Sequence, residues 1–306
     1  MYPMAAIVIG GLITIQNGIN SLLSRQVGSL GSAIVIHLVG LATVSLVLLA
    51  PQKRYKTGKH PLYLYLGGVI GVGTIFACNE TFYRLGASLA VALALFGQLA
   101  GSLIIDTTGF LGRQKCPPKA RTLPGLGAIL LGIILMMERG KLDLGGFVLG
   151  LVSGLLPLFS VILNSQLALE IGIFKSVRAN FLTGFATTIL VAFASVISGA
   201  RPSHFSIANS LQILGATNPL IIVGGGVIGV MMVGAINFVY PKLPALHATL
   251  LMFAGQALAG LAVDAILSNG ASFEKLSGTL MVISGLIINA TLERMASRRS
   301  RAGIIG

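Results

Sequence analysis

Two glutamines and two aspartates hold matching places in two apolar stretches, Gln98 and Asp106 in GQLAGSLIID (97–106), Gln256 and Asp264 in GQALAGLAVD (255–264). Eight residues of helix span roughly 12 Å, and positions i, i+4 and i+8 share a face. Gln98, Ser102 and Asp106 therefore line one stripe, and Gln256, Gly260 and Asp264 line its twin. An amide near the centre of an apolar helix either coordinates a polar solute or ties helices together by hydrogen bonds. A carboxylate near a helix end either pairs with a base or guards a mouth. The sequence offers no nucleophile–base pair, metal-ligand spacing or phosphate loop. No enzymatic step, cofactor or metal is expected.

The elements that must position these residues are membrane helices. The chain has 306 residues, 55% hydrophobic and only 9% charged, with a mean hydropathy of +0.92, against about 25% charged in soluble domains. Ten apolar segments stand out, at about 3–24, 30–50, 62–83, 86–108, 123–138, 145–168, 177–199, 219–240, 244–267 and 276–292. Most reach the ~20 residues that a span needs. The start of the chain reads as a retained helix rather than a signal peptide, for it lacks a basic leader and a cleavage site. Cys78 and Cys116 form neither a disulfide framework nor a metal motif. The net charge of +13 fits basic loops better than nucleic-acid binding. If the helices are numbered in order, one side of the membrane holds 15 Lys and Arg and the other 6. Positive loops stay inside, which places both termini of a multi-pass membrane protein in the cytoplasm.

The chain also repeats itself. A shift of 158 lays 67–106 on 225–264 with 16 identities in 40, among them GGVIGV at 67–72 and 225–230. The matched polar residues weigh most, pairing Asn79 with Asn237, Gln98 with Gln256 and Asp106 with Asp264. Upstream the shift is 144, pairing Asn20 with Asn164, Ser21 with Ser165, Gly28 with Gly172 and Gly40 with Gly184. Residues 1–140 and 141–306 are thus two five-helix repeats. Five is odd, so the second enters the membrane inverted. Inverted repeats place a site at their interface near the bilayer midplane.

The segments GLITIQNGINSLL (11–23), GGVIGV (67–72) and GQLAGSLIIDTTG (97–109) resemble the YdcZ-type family of inner-membrane exporters, in the drug/metabolite transporter superfamily. The resemblance covers nearly the whole chain as two copies. It implies an all-α protein of a bacterial or archaeal inner (plasma) membrane, with ten transmembrane helices in two inverted repeats, the EamA-like fold. It names no substrate. Related small multidrug exporters carry a glutamate in their first helix. Here that helix offers Gln16, Asn17 and Asn20 and no acid, so their proton exchange does not carry over.

Substrate-binding candidates are Gln98, Gln256, Gln16, Asn17, Asn20 and Asn164. Gating or coupling candidates are Asp106, Asp264, His37, Glu80, Asn79 and Asn237, and inversion sends the two aspartates to opposite mouths. Structural alternatives stand beside each: Asp106 paired with a loop base such as Arg113, an i,i+4 ion pair between Glu80 and Arg84, a satisfied core histidine at 37. The expected function is a secondary-active transporter, an exporter of a small polar or amphipathic solute. A passive channel and a non-transporting membrane subunit are the alternatives. The partners are the solute and membrane lipid, not nucleic acid, with a homodimer left open.

Overall fold

The computed structural model describes residues 1–51, 60–85, 87–117, 123–135, 143–198 and 213–267, with single positions 277, 280, 281, 284, 285 and 288. Every regular element among them is helical. They are α1 (Tyr2–Val47), α2 (Gly67–Leu85), α3 (Ala87–Thr108), α4 (Leu123–Leu135), α5 (Leu144–Ile171), α6 (Ile173–Ile197), α7 (Pro219–Val239) and α8 (Ala245–Leu267). Four stretches among the described residues are long and apolar enough to cross a membrane: Tyr2–Val47, Leu144–Ile171, Ile173–Ile197 and Pro219–Lys242. The expected last segment, 276–292, lies largely outside the described residues.

The first two expected segments join in α1, which is broken at Gly28 by φ 76° and ψ 164°. Its counterpart Gly172, with φ 95° and ψ 153°, separates α5 from α6. A positive φ costs glycine little, which is why both chain reversals fall on it. The reversal in α1 follows from its contacts. A Cβ built on Gly225 of α7 would touch Asn20 and lie 3.5 Å from Ile36, residues that a straight helix would hold roughly 24 Å apart.

The helices pack through paired glycine seams in which repeat-related positions exchange partners. A Cβ at Gly10 would overlap the Met252 carbonyl, and one at Gly154 the Ala94 carbonyl. A Cβ at Gly255 would strike the Ile7 carbonyl, and one at Gly97 the Leu151 carbonyl. Gly40 abuts the Phe181 ring and Gly184 the His37 ring. In lipid, helices gain little from hydrophobic attraction and associate through such close backbone approach. The outcome is an exchange in which α1 packs on α7 and α8, while α5 packs on α2 and α3.

Where α3 meets α8 the two run antiparallel. Ser102 lies against Thr249, with hydroxyls 2.7 Å apart, and one turn further along α3 Asp106 reaches Ala245. Leu99, Leu246, Leu250 and Phe253 fill the contact between them.

Candidate functional site

The first arm of α1 carries two exposed stripes of opposite character. Met4, Val8, Ile15 and Leu22 form one, apolar and exposed. Asn17 follows Ile15 by two positions, about 200° round the helix. It is exposed too, as is Ser21, and the partly buried Thr14 and Ser24 extend the same face. An apolar face suits lipid. An exposed polar face on the far side of the same span is costly in hydrocarbon and suits water or a polar partner. Its flanks are tied to the second half, with Gln16 Nε2 donating to the Gly225 carbonyl (3.1 Å) and Thr14 to the Gln256 carbonyl (3.2 Å).

The matching face of α5 is closed. Thr14, Asn17, Ser21 and Ser24 correspond to Leu158, Val161, Ser165 and Ala168. Leu158, Ser165 and Ala168 are buried, Val161 packs on the main apolar cluster, and Ser165 turns its hydroxyl to the Ile162 carbonyl. One repeat thus presents an open polar face where the other presents a packed apolar one.

The asparagines divide in the same way. Asn164 Nδ2 donates to Asn180 Oδ1 (2.8 Å) and Ser160 Oγ (3.3 Å), and its backbone carbonyl accepts from Ser176 (2.6 Å). Ser160, the counterpart of Gln16, donates to the Gly67 carbonyl (2.8 Å). Asn237 joins this network through Ser176 (3.4 Å), with its own Oδ1 buried and unpartnered. Asn20 has no such partner, because Ile36 stands where Asn180 stands in the second half. Its Oδ1 is enclosed without a hydrogen bond. An unmatched buried polar group costs roughly 1–3 kcal/mol.

Gln98 and Gln256 are both partly buried, and no hydrogen bond among the described residues joins them. They flank the antiparallel α3–α8 crossing. The side chains of Asn79 and Asp264 lie outside the described residues.

Asp106 differs from the expected pairing with Arg113. Its side chain is 1% exposed. Oδ1 accepts from the Ala245 amide (2.8 Å) and Oδ2 from the Leu246 amide (2.7 Å). An acid at the C-terminal end of its own helix opposes that helix's dipole, but this one closes the N-terminus of another, where the dipole favours it. Arg113 grips the same turn from its other side. It donates to the carbonyls of Tyr240 (3.4 Å) and Leu243 and lies 4.6 Å over the Tyr240 ring. Two residues of the first half therefore clasp the α7–α8 turn of the second.

Among the remaining candidates, His37 bonds its Nδ1 to the Ala33 carbonyl (2.7 Å) and meets Phe181, its own repeat counterpart, edge to face at 6.0 Å. Glu80 pairs with Arg84 at 2.7 Å, which also reaches Asp143 at 3.4 Å. Asp143 makes no well-formed cap to α5, yet the Gly146 amide, and after it the Arg84 guanidinium, hold its carboxyl below the usual value. No three metal-ligating side chains converge among the described residues. Sequence reasoning missed Thr14, Ser21, Ser24, Asn180 and the Arg113 clasp. The 3-4-3 spacing of Thr14, Asn17, Ser21 and Ser24 was the available signal for the open face.

Among the described residues every regular element is helical and four stretches are long and apolar enough to cross a membrane, which defines a polytopic membrane protein. Residues 1–135 and 146–288 match the family described as "Putative inner membrane exporter, YdcZ", and the chain belongs to that family. A crystal structure described only as "Crystal structure of protein" is similar over 96% of this chain and 97% of its own, with a TM-score of 0.65 and 15% identity. That likeness concerns the fold alone. No curated protein matches.

Proposed function

We propose that the chain is a secondary-active exporter of a small polar or amphipathic solute, working by alternating access between two inverted five-helix repeats, 1–140 and 141–306. The observation that carries this reading is the contrast between the exposed polar face of α1 and the packed face of α5 at matching positions. Two repeats in the same conformation would look alike, whereas a carrier open on one side would not. The exchanged glycine contacts are those of a two-fold relation, in which i meets j and j meets i. The antiparallel run of the repeat-related helices α3 and α8 supports an axis that crosses the helices, as the inverted arrangement requires.

In this reading the charge tally puts the Asp106–Arg113 clasp on the cytoplasmic side, where it holds the pathway shut. The polar face of α1 then opens outward. Gln16, Asn17, Asn20, Gln98 and Gln256 meet the solute. Asn164 and Asn237 hold the second half together. The clasp must part for the solute to enter from the cytoplasm, and Asp264 is the counterpart of Asp106 at the outer mouth.

The test is transport in proteoliposomes with Gln98→Ala and Gln256→Ala. Solutes are first selected on the purified protein by thermal shift. Flux is expected to fall at least about tenfold in each variant, a loss of ~1.4 kcal/mol, with monodispersity in detergent retained. Unchanged flux in both variants would remove the glutamines from the pathway. Flux in the parent protein that follows only the solute's own gradient would identify a channel, and no flux with any bound solute a non-transporting subunit.

A further inference from the structure

We infer that the end of the bundle closed by the Asp106–Arg113 clasp docks the phosphate headgroups of anionic lipids through exposed Lys115, Lys175, Arg178 and Lys242. This inference stands apart from the solute, the direction of transport and the orientation in the membrane. Contacts gather the connections at this end. Asp106, at the close of α3, meets the start of α8. Ser160 donates to the Gly67 carbonyl (2.8 Å), which sets α5 alongside the start of α2. Glu170 faces His60 at 3.6 Å. The loop after α3 reaches α5 through Phe110 and Phe159, whose ring centroids lie 6.1 Å apart.

The positive charge here has little to neutralise it. Segments 51–61, 109–122, 169–178 and 241–244, which join helices at this end, hold eleven Lys and Arg against one acid, Glu170. Asp106 nearby is closed by two backbone amides. At the opposite end, by contrast, Arg84 is paired with both Glu80 and Asp143. Arg113 turns its fork to the Tyr240 and Leu243 carbonyls, so Lys242 lies within the turn it grips. Lys115, two residues on, lays its stem over Gly109. The two lysines thus flank the clasp. Among the cations stand exposed apolar side chains: Leu62 and Tyr63 before α2, Phe110 in the loop, and Phe174 next to Lys175. Apolar bodies and cationic heads at one level suit the headgroup layer, where the bodies enter the acyl boundary and the charges meet phosphate. A soluble polyanion would satisfy the cations and leave the apolar side chains in water. Headgroups held here offset the mutual repulsion of Lys115, Lys242 and Arg113, and so favour the closed clasp.

The test compares spin-labelled phosphatidylglycerol with spin-labelled phosphatidylcholine around the full chain in phosphatidylcholine bilayers. The motionally restricted fraction of each label gives its relative association with the protein. Phosphatidylglycerol is expected to be favoured about threefold or more, and less so in about 0.5 M NaCl. Lys115→Gln/Lys242→Gln and Lys175→Gln/Arg178→Gln are each expected to weaken the preference, and the four changes together to abolish it. The single variants Lys242→Gln and Arg25→Gln remove one charge from each end, and the first alone is expected to lower the preference. In detergent, added phosphatidylglycerol is expected to raise the thermal midpoint of the parent and not that of Lys115→Gln/Lys242→Gln. Equal association of the two labels, a preference that survives all four changes, or an equal loss in Arg25→Gln would overturn the docking surface. Loss of the preference on adding about 1 mM inorganic phosphate or a short oligonucleotide would assign the cations to a soluble anion and overturn lipid as the partner. A parent midpoint indifferent to phosphatidylglycerol would overturn the link to the clasp.

Discussion

Asp106 caps a helix that begins 139 residues further along the chain, its two carboxylate oxygens on the amides of Ala245 and Leu246. The cap joins the two halves of the molecule at the end of the α3–α8 crossing, where Ser102 and Thr249 already meet one turn away. Charge-assisted hydrogen bonds of this kind are worth roughly 1.5–3 kcal/mol each. Asp106→Asn keeps the shape and one acceptor but turns an NH2 toward a backbone amide. Its thermal midpoint in detergent is expected to fall by an amount matching about 1–3 kcal/mol, and an unchanged midpoint would show that the cap adds nothing.

Arg113 clasps the same turn with a planar fork and a ring contact. Lysine keeps the charge but not the fork. Arg113→Lys is therefore expected to behave like Arg113→Ala in stability, each losing on the order of 1–3 kcal/mol. A fully stable lysine variant would reduce the clasp to simple charge.

Gly10 and Gly154 offer a comparison of the two seams. A methyl group at either would run into a backbone carbonyl, that of Met252 or of Ala94, and backbone cannot swing aside as a side chain can. Gly10→Ala and Gly154→Ala are each expected to cost about 1–3 kcal/mol. Gly18→Ala is the control, because a Cβ there meets nothing within 4 Å. Equal midpoints for all three proteins would refute close packing at the seams.

The pH dependence expected at Asp143 follows from its lowered value in the folded protein, caused first by the Gly146 amide and then by Arg84. The stabilisation is complete above the unfolded value of about 3.9 and disappears as the pH falls through the lower folded value. Asp143→Asn is expected to flatten the acid limb of a midpoint-against-pH curve. An acid limb identical to that of the parent would assign acid sensitivity to other carboxylates.

Much of this architecture was legible in the sequence because membrane spans and glycine turns are local signals. Apolar runs located the described helices to within a few residues, and the gaps between runs, at 25–29 and 169–176, hold the breaks at Gly28 and Gly172. The expectation for Asp106 went astray for a reason that is not local. Its partner is the start of another helix, and sequence spacing ranks nearby bases such as Arg113 above amides 139 residues away. The difference between Asn20 and Asn164 was hidden likewise. It depends on Ile36 replacing Asn180, a residue that matters only once the helices are folded back on themselves.

That replacement has a consequence for how the two halves relate. Two copies of the second half would each carry the Asn164–Asn180 hydrogen bond. Two copies of the first would each set Ile36 in that place instead. Joined in one chain, the halves bring together one face that its neighbours cover and one that they leave exposed. Neither could be traded for a duplicate of the other without changing which faces are covered.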